Sequence, residues 1–290
     1  MSNQLDAPPK DNVAVVAKRA RKSVFYMVLS AVGLMFVAPL VWMISTSFKT
    51  QNEAVTSTSL IPDSLTFENY APLLQWEGKA PVLRWFFNSV LTSSLTTVLV
   101  VITAALAGYA LAWFTFRGRS LVFSLVIGTL FLPGFIFLVP NYLIINELGL
   151  LDSLLALILP SVGGAFGVFF MRQFFSGLPR ELDEAAKLDG AGDFRIFASI
   201  MLPLAQAGLS TLAVLTFLAS WNDFLWPVYV LYTNSKLTLP AGLPLLQSTY
   251  IANQPLIMAG AVLASVPALI VFILVQRKII ESVAASGIKG

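Results

Sequence analysis

The chain has 290 residues, of which 57% are hydrophobic and 11% charged, with a mean hydropathy of +0.80 and a formal net charge of +3. No single water-soluble domain can bury that much apolar surface, so the composition describes an integral membrane protein. With no Cys and no His, the chain can form no disulfide, no thiolate or imidazole metal site, and no Cys–His or Ser–His catalytic pair.

A bilayer core is about 30 Å thick, and a helix of roughly 20 apolar residues crosses it. Six segments meet that requirement, at about 24–48, 86–113, 120–145, 153–176, 204–230 and 256–276. Residues 1–23 form a polar, basic, Pro-containing tail, read as disordered or lying on the inner membrane surface. A basic start followed by an apolar run also describes a signal peptide. The length of this run and its lack of a small-x-small cleavage site favour an uncleaved first span. The loop at about 49–85 contains "LIPDSLTFENYAPLL", which fits a short amphipathic segment, with a scaffolding role favoured over solute contact. "RGR" at 117–119 turns the chain.

In the third and fourth spans, Pro133, Pro140 and Pro160 each remove a backbone donor and predict kinks or breaks, either lining a path or tolerated by neighbouring helices. Gly163 and Gly167 stand at GxxxG spacing, for packing within the bundle in preference to packing on a second subunit. "SWNDFLWP", residues 220–227, places Trp221 and Trp226 where an aromatic belt would lie. Asn222 and Asp223 there are candidates either to line a path or to make structural hydrogen bonds. Residues 237–255, with Pro240, Pro244 and Pro255, read as a loop or interfacial turn before the last span.

Fourteen of the eighteen Lys and Arg residues fall on one side of this arrangement. Lys49, Lys79, Arg84 and Lys236 fall on the other. The positive-inside rule therefore places both termini in the cytoplasm.

"ELDEAAKLDGAGDFRIFASIMLP", residues 181–203, then lies on the cytoplasmic side with five acidic and two basic residues. Pro179 suits a first helical turn, and Glu181, Asp183 and Glu184 follow where the helix dipole favours negative charge. Gly190 is a stop signal, so a helix is predicted over 179–189. Asp193 is placed as the N-cap of a second helix toward Met201, and Pro203 as the junction with the fifth span. Leu182, Ala185 and Ala186 share a face at helical spacing. That face either docks into another protein or merely belongs to a connector, and two capped helices favour docking.

Glu184, Ala185, Ala186, Gly190, Ile200, Leu202 and Pro203 fit the pattern EAA, three residues, G, nine residues, I-x-L-P, without departure. The chain thereby resembles the permease subunits of binding-protein-dependent ABC importers. "FFNSVLTSSLTTVLVVITAALAGYALAWFTFRGR" (86–119), "LPGFIFLVPNYLIINELGLLDSLLALILP" (132–160), "SWNDFLWP" and "LPAGLPLLQSTY" (239–250) are similar to the carbohydrate-import branch, in particular the shorter, second permease of maltose-type transporters. The ending "ESVAASGIKG" resembles that family's L-T-A-G-x-x-K-G but departs at "SVAAS".

The resemblance implies an all-α membrane protein of six transmembrane helices with the type-1 ABC importer permease fold. It implies a permease domain over 24–290, a shared core at about 82–277 and a cytoplasmic coupling loop at 178–203. It implies location in the cytoplasmic (inner) membrane, a heterodimer with a second homologous permease, two copies of an ABC ATPase and an extracytoplasmic solute-binding protein. Nucleic acid is not an expected partner. ATP and Mg would be bound on the ATPase subunits and no cofactor by this chain, in keeping with its lack of a G-x-x-x-x-G-K-[ST] phosphate loop.

Carried over by position, the coupling residues would be Glu181, Leu182, Glu184, Ala185, Ala186, Leu188, Asp189, Gly190, Ile200, Leu202 and Pro203. Glu184 would make the polar contact, Ala185 and Ala186 would allow close approach, and Gly190 would form the turn. Trp221, Asn222 and Asp223 are the candidates to face a solute. The function expected is passage of a sugar or oligosaccharide, with glycerol-phosphate or another polyol as the alternative. A passive channel or stand-alone carrier is more distant. An intramembrane enzyme is disfavoured, because Asp223 has no catalytic partner in view.

Overall fold

In the computed structural model the backbone is described for residues 10–250 and 253–287, and the side chains for residues 19, 21–250 and 253–274. Expectations for residues 1–9, for the side chains of 275–287 and for 288–290 lie outside the described residues. The described residues contain helices and no strands.

Helix α1 (Lys10–Ser47) begins inside the segment expected to be a polar tail. Between Pro9 and Pro39 no residue breaks a helix, and Ala, Lys and Arg there are good helix formers. The short α2 (Gln51–Thr56) follows, N-capped by the Thr50 hydroxyl, which accepts from the Glu53 N–H. The rest of this loop is tied back to the end of α1. Asn69 donates to the carbonyls of Ser47 and Lys49 at 2.9 and 2.8 Å, and buried Lys49 lies 3.9 Å from Glu53.

Helix α3 (Val82–Trp113) is the central element, and the helices at Ala165–Ser176, Gln206–Trp221 and Leu239–Thr249 pack along it. The third apolar segment is not one helix. It is α4 (Arg119–Leu130) and α5 (Leu138–Glu147), joined by a 3₁₀ turn at Gly134–Phe137 and bent by 101°. Pro133 disfavours helical backbone at Leu132 and cannot donate, so α4 stops just before it. The fourth segment is α6 (Leu155–Ile158), a 3₁₀ turn at Leu159–Ser161 and α7 (Ala165–Ser176), bent by 45°. Here Pro160 is accommodated at the start of the 3₁₀ turn, and the chain leaves helical geometry at Gly164, whose ψ is 116°.

After α8 (Glu181–Leu188) come α9 (Asp193–Ile196), a π-helical turn at Phe197–Met201 and α10 (Leu202–Leu204). Helix α11 (Gln206–Trp221) then departs at 75° from that run. Helix α12 (Leu225–Val230), α13 (Leu239–Thr249) and α14 (Gln254–Gly287) complete the chain.

Among the described residues, three helices are long and apolar enough to cross a membrane, Arg21–Ser47, Val82–Trp113 and Gln254–Leu274. The number rises to six when each bent pair is taken as one span.

Helix α13 corrects the expectation of a loop at 237–255. Pro240 occupies its first turn, where a missing donor costs little, and Gly242 lies flat against Trp85. A Cβ on Gly242 would stand 2.3 Å from the indole ring. Of the GxxxG pair, Gly167 alone meets a neighbour, with the Ala104 methyl 3.0 Å from a Cβ placed on it, while Gly163 faces open space. In lipid, helices are held by such close packing rather than by exclusion of water.

At the end of the bundle away from α8, Asp152 joins the turn after α5 to the segment after α12. Its backbone adopts φ 56°, and its N–H donates to the Val230 carbonyl at 2.7 Å. Its carboxylate accepts from the Tyr232 and Thr233 N–H groups at 2.9 Å, the Thr233 hydroxyl at 2.7 Å and Lys236 Nζ at 2.9 Å. Burial acts to raise this acid's pKa, but the hydrogen bonds from Thr233, Lys236 and Tyr232 outweigh it and hold the group well below the usual carboxylate range.

A depressed folded pKa means that the stabilisation is present above the unfolded value, about 4, and is lost as the pH falls through the folded one. Asp152→Asn, which αL backbone tolerates, is therefore expected to lower the thermal midpoint at about pH 7 and to converge with the wild type toward about pH 2. Thermal scans of both proteins across that range check this; parallel curves would contradict it.

Candidate functional site

Two features stand apart from packing. The first is α8, which sits at the opposite end of the bundle from Asp152. Its first turn holds Glu181, Asp183 and Glu184 and its last turn Lys187, the charge order that complements the helix dipole. It ends in a Schellman arrangement: Ala191 N–H donates to the Ala186 carbonyl at 2.9 Å and Gly190 N–H to Lys187 at 3.0 Å, with Gly190 at φ +80°. The predicted boundaries of 179–189 shorten to Glu181–Leu188, because Arg180 is the N-cap. Asp193 is not the N-cap of the next helix. Gly192 holds that position with extended backbone, and Asp193 is the first helical residue. Lys187 donates to Asp183 at 2.9 Å and lies 3.7 Å from Asp193, so it ties α8 to α9. The hydrogen bond to Asp183 holds its ammonium above the ordinary lysine pKa.

Of the expected docking face of Leu182, Ala185 and Ala186, Leu182 and Ala185 are exposed and only Ala186 turns inward. Ala186 is buried, in a cluster with Tyr109, Phe175, Ile196, Phe197 and Met201. The Tyr109 ring lies 4.9 Å from Phe197 and 5.6 Å from Phe175, centroid to centroid, and forms the seat on which the loop rests. Ile200 and Leu202 also pack against this cluster and so anchor the loop. Pro203 is exposed in α10, and Asp189 is exposed at the C-cap.

Outward from α8 stand Glu181, Glu184, Ala185 and Leu188, spaced i, i+3, i+4 and i+7 on one face, with Leu182 exposed beside them. Leu188 is 89% exposed, and Phe194, the second residue of the next helix, is 78% exposed. Phe194 was not singled out from the sequence, although an aromatic among charged residues outside a span was a visible signal.

The second feature is a cavity of about 450 Å³ between α3, α7 and α11. Its lining includes Thr92, Thr96, Phe166, Thr216, Ser220, Asp223 and Thr238, and among the described residues Asp223 is the single ionisable one in it. Of the three residues expected to face a solute, only Asp223 is there. It is partly buried, and its carboxylate accepts from Trp226 N–H at 3.3 Å.

Trp221 is a core residue, 2% exposed, with its indole N–H donating to Ala264 at 3.1 Å and its ring packed against Phe86 and Phe217. Asn222 faces away and donates to Leu218 at 2.8 Å. Trp226 donates to Ala156 at 2.9 Å. These hydrogen bonds satisfy both indoles inside the bundle, where an interfacial belt would have left them toward water. The hydroxyls of Thr96 and Thr238 were also missed. The run "TSSLTT" at 92–97 was the available signal, since Thr92 and Thr96 share a face of α3 at i, i+4 spacing.

Residues 101–283 match the family model described as binding-protein-dependent transport system inner membrane component. The chain is 38% identical over 270 residues to the arabinooligosaccharides transport system permease protein AraQ of Halalkalibacterium halodurans, covering 90% of this chain and 96% of that one. It is 34% identical over 274 residues to the diacetylchitobiose uptake system permease protein NgcG of Streptomyces coelicolor, covering 93% and 90%. Among solved structures, its fold matches a chain of a bacterial ABC transporter involved in the import of the acidic polysaccharide alginate. That match has a TM-score of 0.80 at 21% identity and covers 95% of this chain and 99% of the other.

Proposed function

Because the chain belongs to the family of inner-membrane components of binding-protein-dependent transport systems, we propose that it is a permease subunit of an ATP-driven importer that carries a sugar or oligosaccharide across the cytoplasmic membrane. In this reading the chain makes six spans with both termini in the cytoplasm, and pairs with a second homologous permease. Two copies of an ABC ATPase dock on the cytoplasmic side, where they bind ATP and Mg, and a solute-binding protein delivers the solute from outside. The family description names a binding protein, and the two permease relatives are named for oligosaccharides. A glycerol-phosphate cargo is disfavoured by the cavity, which no Lys or Arg among the described residues lines.

One observation carries the coupling role. Helix α8 is fixed to the bundle by buried Ala186 on one side and leaves Glu181, Glu184, Ala185 and Leu188 uncovered on the other. A helix with an anchored face and an open face transmits displacement between whatever seats on it and the core beneath. Tyr109, Phe197 and Met201 are the first residues to feel that displacement, and the π-helical turn that holds Phe197 and Met201 leads directly into α10 and α11. π-Helical turns are frequent at functional sites.

Reconstitution of the chain with its neighbouring permease, ATPase and binding protein tests this reading. Glu184→Lys is expected to leave membrane insertion unchanged and to reduce the ATPase recovered with the tagged chain by about fivefold or more, the scale for reversing a charge at an interface. Solute-stimulated ATP hydrolysis should fall with it. Wild-type recovery and stimulation in Glu184→Lys would remove α8 from the coupling path.

A further inference from the structure

A second cavity, of about 460 Å³, opens where α3 ends, α4 begins and α7 passes. It lies at the α8 end of the bundle, where Arg180, the N-cap of α8, sits 5.7 Å from the ring of Trp113, the last residue of α3. Arg119 and Arg172 line it, together with the hydroxyl-bearing Thr115 and Ser120 and the rings of Phe116 and Phe123.

The two cations are held by groups that fix their position without cancelling their charge. Arg119 donates to the carbonyls of Ala112 and Phe114, at the end of α3, at 3.1 and 3.3 Å. The Arg172 guanidinium carbon lies 4.0 Å from the centroid of Phe123, whose ring stacks on Phe169. Arg172 otherwise donates only weakly, to the neutral amide oxygen of Gln173 at 3.5 Å. Among the described residues neither guanidinium pairs with a carboxylate, and no Asp or Glu lines the cavity. Helix α4 starts at the same place with no side-chain cap, so its positive end adds to the field. Two planar guanidinium forks beside an open helix N-terminus suit a phosphate, which accepts from both kinds of donor.

The surroundings select a lipid as the source of that phosphate. Helix α4 has no buried residue, and Leu121, Val122 and Leu125, which run on from Ser120, are exposed, as is Phe116 at the cavity itself. A headgroup seated between the arginines therefore leaves its acyl chains beside an apolar helix surface. Basic pockets beside membrane helices on the cytoplasmic side take anionic headgroups in this way.

We infer that this cavity binds the headgroup phosphate of an anionic glycerophospholipid through Arg119 and Arg172, with the acyl chains lying along α4. The inference rests on the proposed orientation, which puts the α8 end in the cytoplasm, and adds to it a lipid that bridges the turn between α3 and α4 to α7.

The test uses the transporter assembled from this chain, its second permease and its ATPase, purified in detergent, with native mass spectrometry reading the retention of added lipid. Dioleoyl phosphatidylglycerol is expected to bind about fivefold or more tightly than dioleoyl phosphatidylcholine, the scale of one basic residue at a charged membrane surface. Arg172→Gln should abolish that preference. Arg195→Gln removes an exposed arginine that does not line the cavity, and should leave the preference within about twofold, since exposed charges are screened by salt. Ser120→Asp guards against a folding defect in Arg172→Gln. It sets a carboxylate at the cavity in the first turn of α4, where the helix dipole favours it, and should also abolish the preference.

Glycerophosphoglycerol, the headgroup without acyl chains, separates the two sources of phosphate. At a concentration equal to that of the lipid it should displace none of it, and displacement would overturn a lipid as the occupant. Equal binding of the two lipids, equal losses in Arg172→Gln and Arg195→Gln, or an unchanged preference in Ser120→Asp would overturn the inference. Each of these outcomes leaves the permease reading intact, because that reading is decided by solute-stimulated ATP hydrolysis and by recovery of the ATPase on α8.

Discussion

Leu188→Glu is expected to yield a folded, membrane-inserted protein whose solute uptake in the assembled transporter falls at least about tenfold. Leu188 is 89% exposed at the end of α8, on the same face as Glu181, Glu184 and Ala185. An exposed leucine on a soluble surface needs no explanation, but this one projects from a helix pinned to the core by Ala186 on its other side. Loss of one apolar anchor at the centre of an interface costs about 2 kcal/mol or more, which is roughly 30-fold in affinity. A buried carboxylate in its place adds a desolvation cost. The substitution touches nothing within the chain, so thermal unfolding of the purified permease should be unchanged. A loss of uptake accompanied by a lower midpoint would assign Leu188 to folding instead.

Gly108→Val is expected to have the largest effect on the fold. Gly108 lies where α3 crosses α7, and a Cβ there would stand 2.8 Å from both the Arg172 backbone nitrogen and the Met171 Cβ. The nearest atoms include backbone, which cannot rotate away as a side-chain end would. Overpacking of a core commonly costs 1–3 kcal/mol, and a clash with a helix backbone falls at or above the top of that range. Helix association in lipid depends on this close approach, so the α3–α7 pair must separate. The recovery of monodisperse protein from detergent should collapse for Gly108→Val. Gly163→Ala, at a glycine with nothing within 4 Å of its would-be Cβ, should behave as wild type. Normal recovery of Gly108→Val would contradict the crossing.

The residues that sequence reasoning placed well are those whose chemistry acts locally. Gly190 ends α8 with positive φ because a Schellman turn requires it, and the acids at 181, 183 and 184 follow the helix dipole. Pro133 breaks the third segment because the constraint on Leu132 and the missing donor both act within one turn. The misplaced features depend on what lies across the fold. Periodicity put Ala185 and Ala186 near one another, but which of them turns inward is decided by Tyr109 and Phe197, far away in sequence. Residues 239–249 look like a loop because of Pro240 and Pro244, yet they form a helix because Gly242 fits against Trp85. Trp221 reads as an interfacial aromatic and is instead satisfied by the Ala264 carbonyl from α14. The cavity was invisible for the same reason, since Thr96 and Thr238 are brought together only by the fold.

Site-specific photocrosslinking at α8 tests the coupling role most directly. With a benzophenone amino acid at position 188 in the assembled transporter, irradiation should produce an adduct with the ATPase subunit. The same probe at Leu121, which is 64% exposed on α4, should produce none. An ATPase adduct at 188 that is lost when Glu184→Lys is added would support α8 as the seat of the ATPase. Adducts from 188 only to lipid or to the second permease, or equal ATPase adducts from 188 and 121, would contradict it.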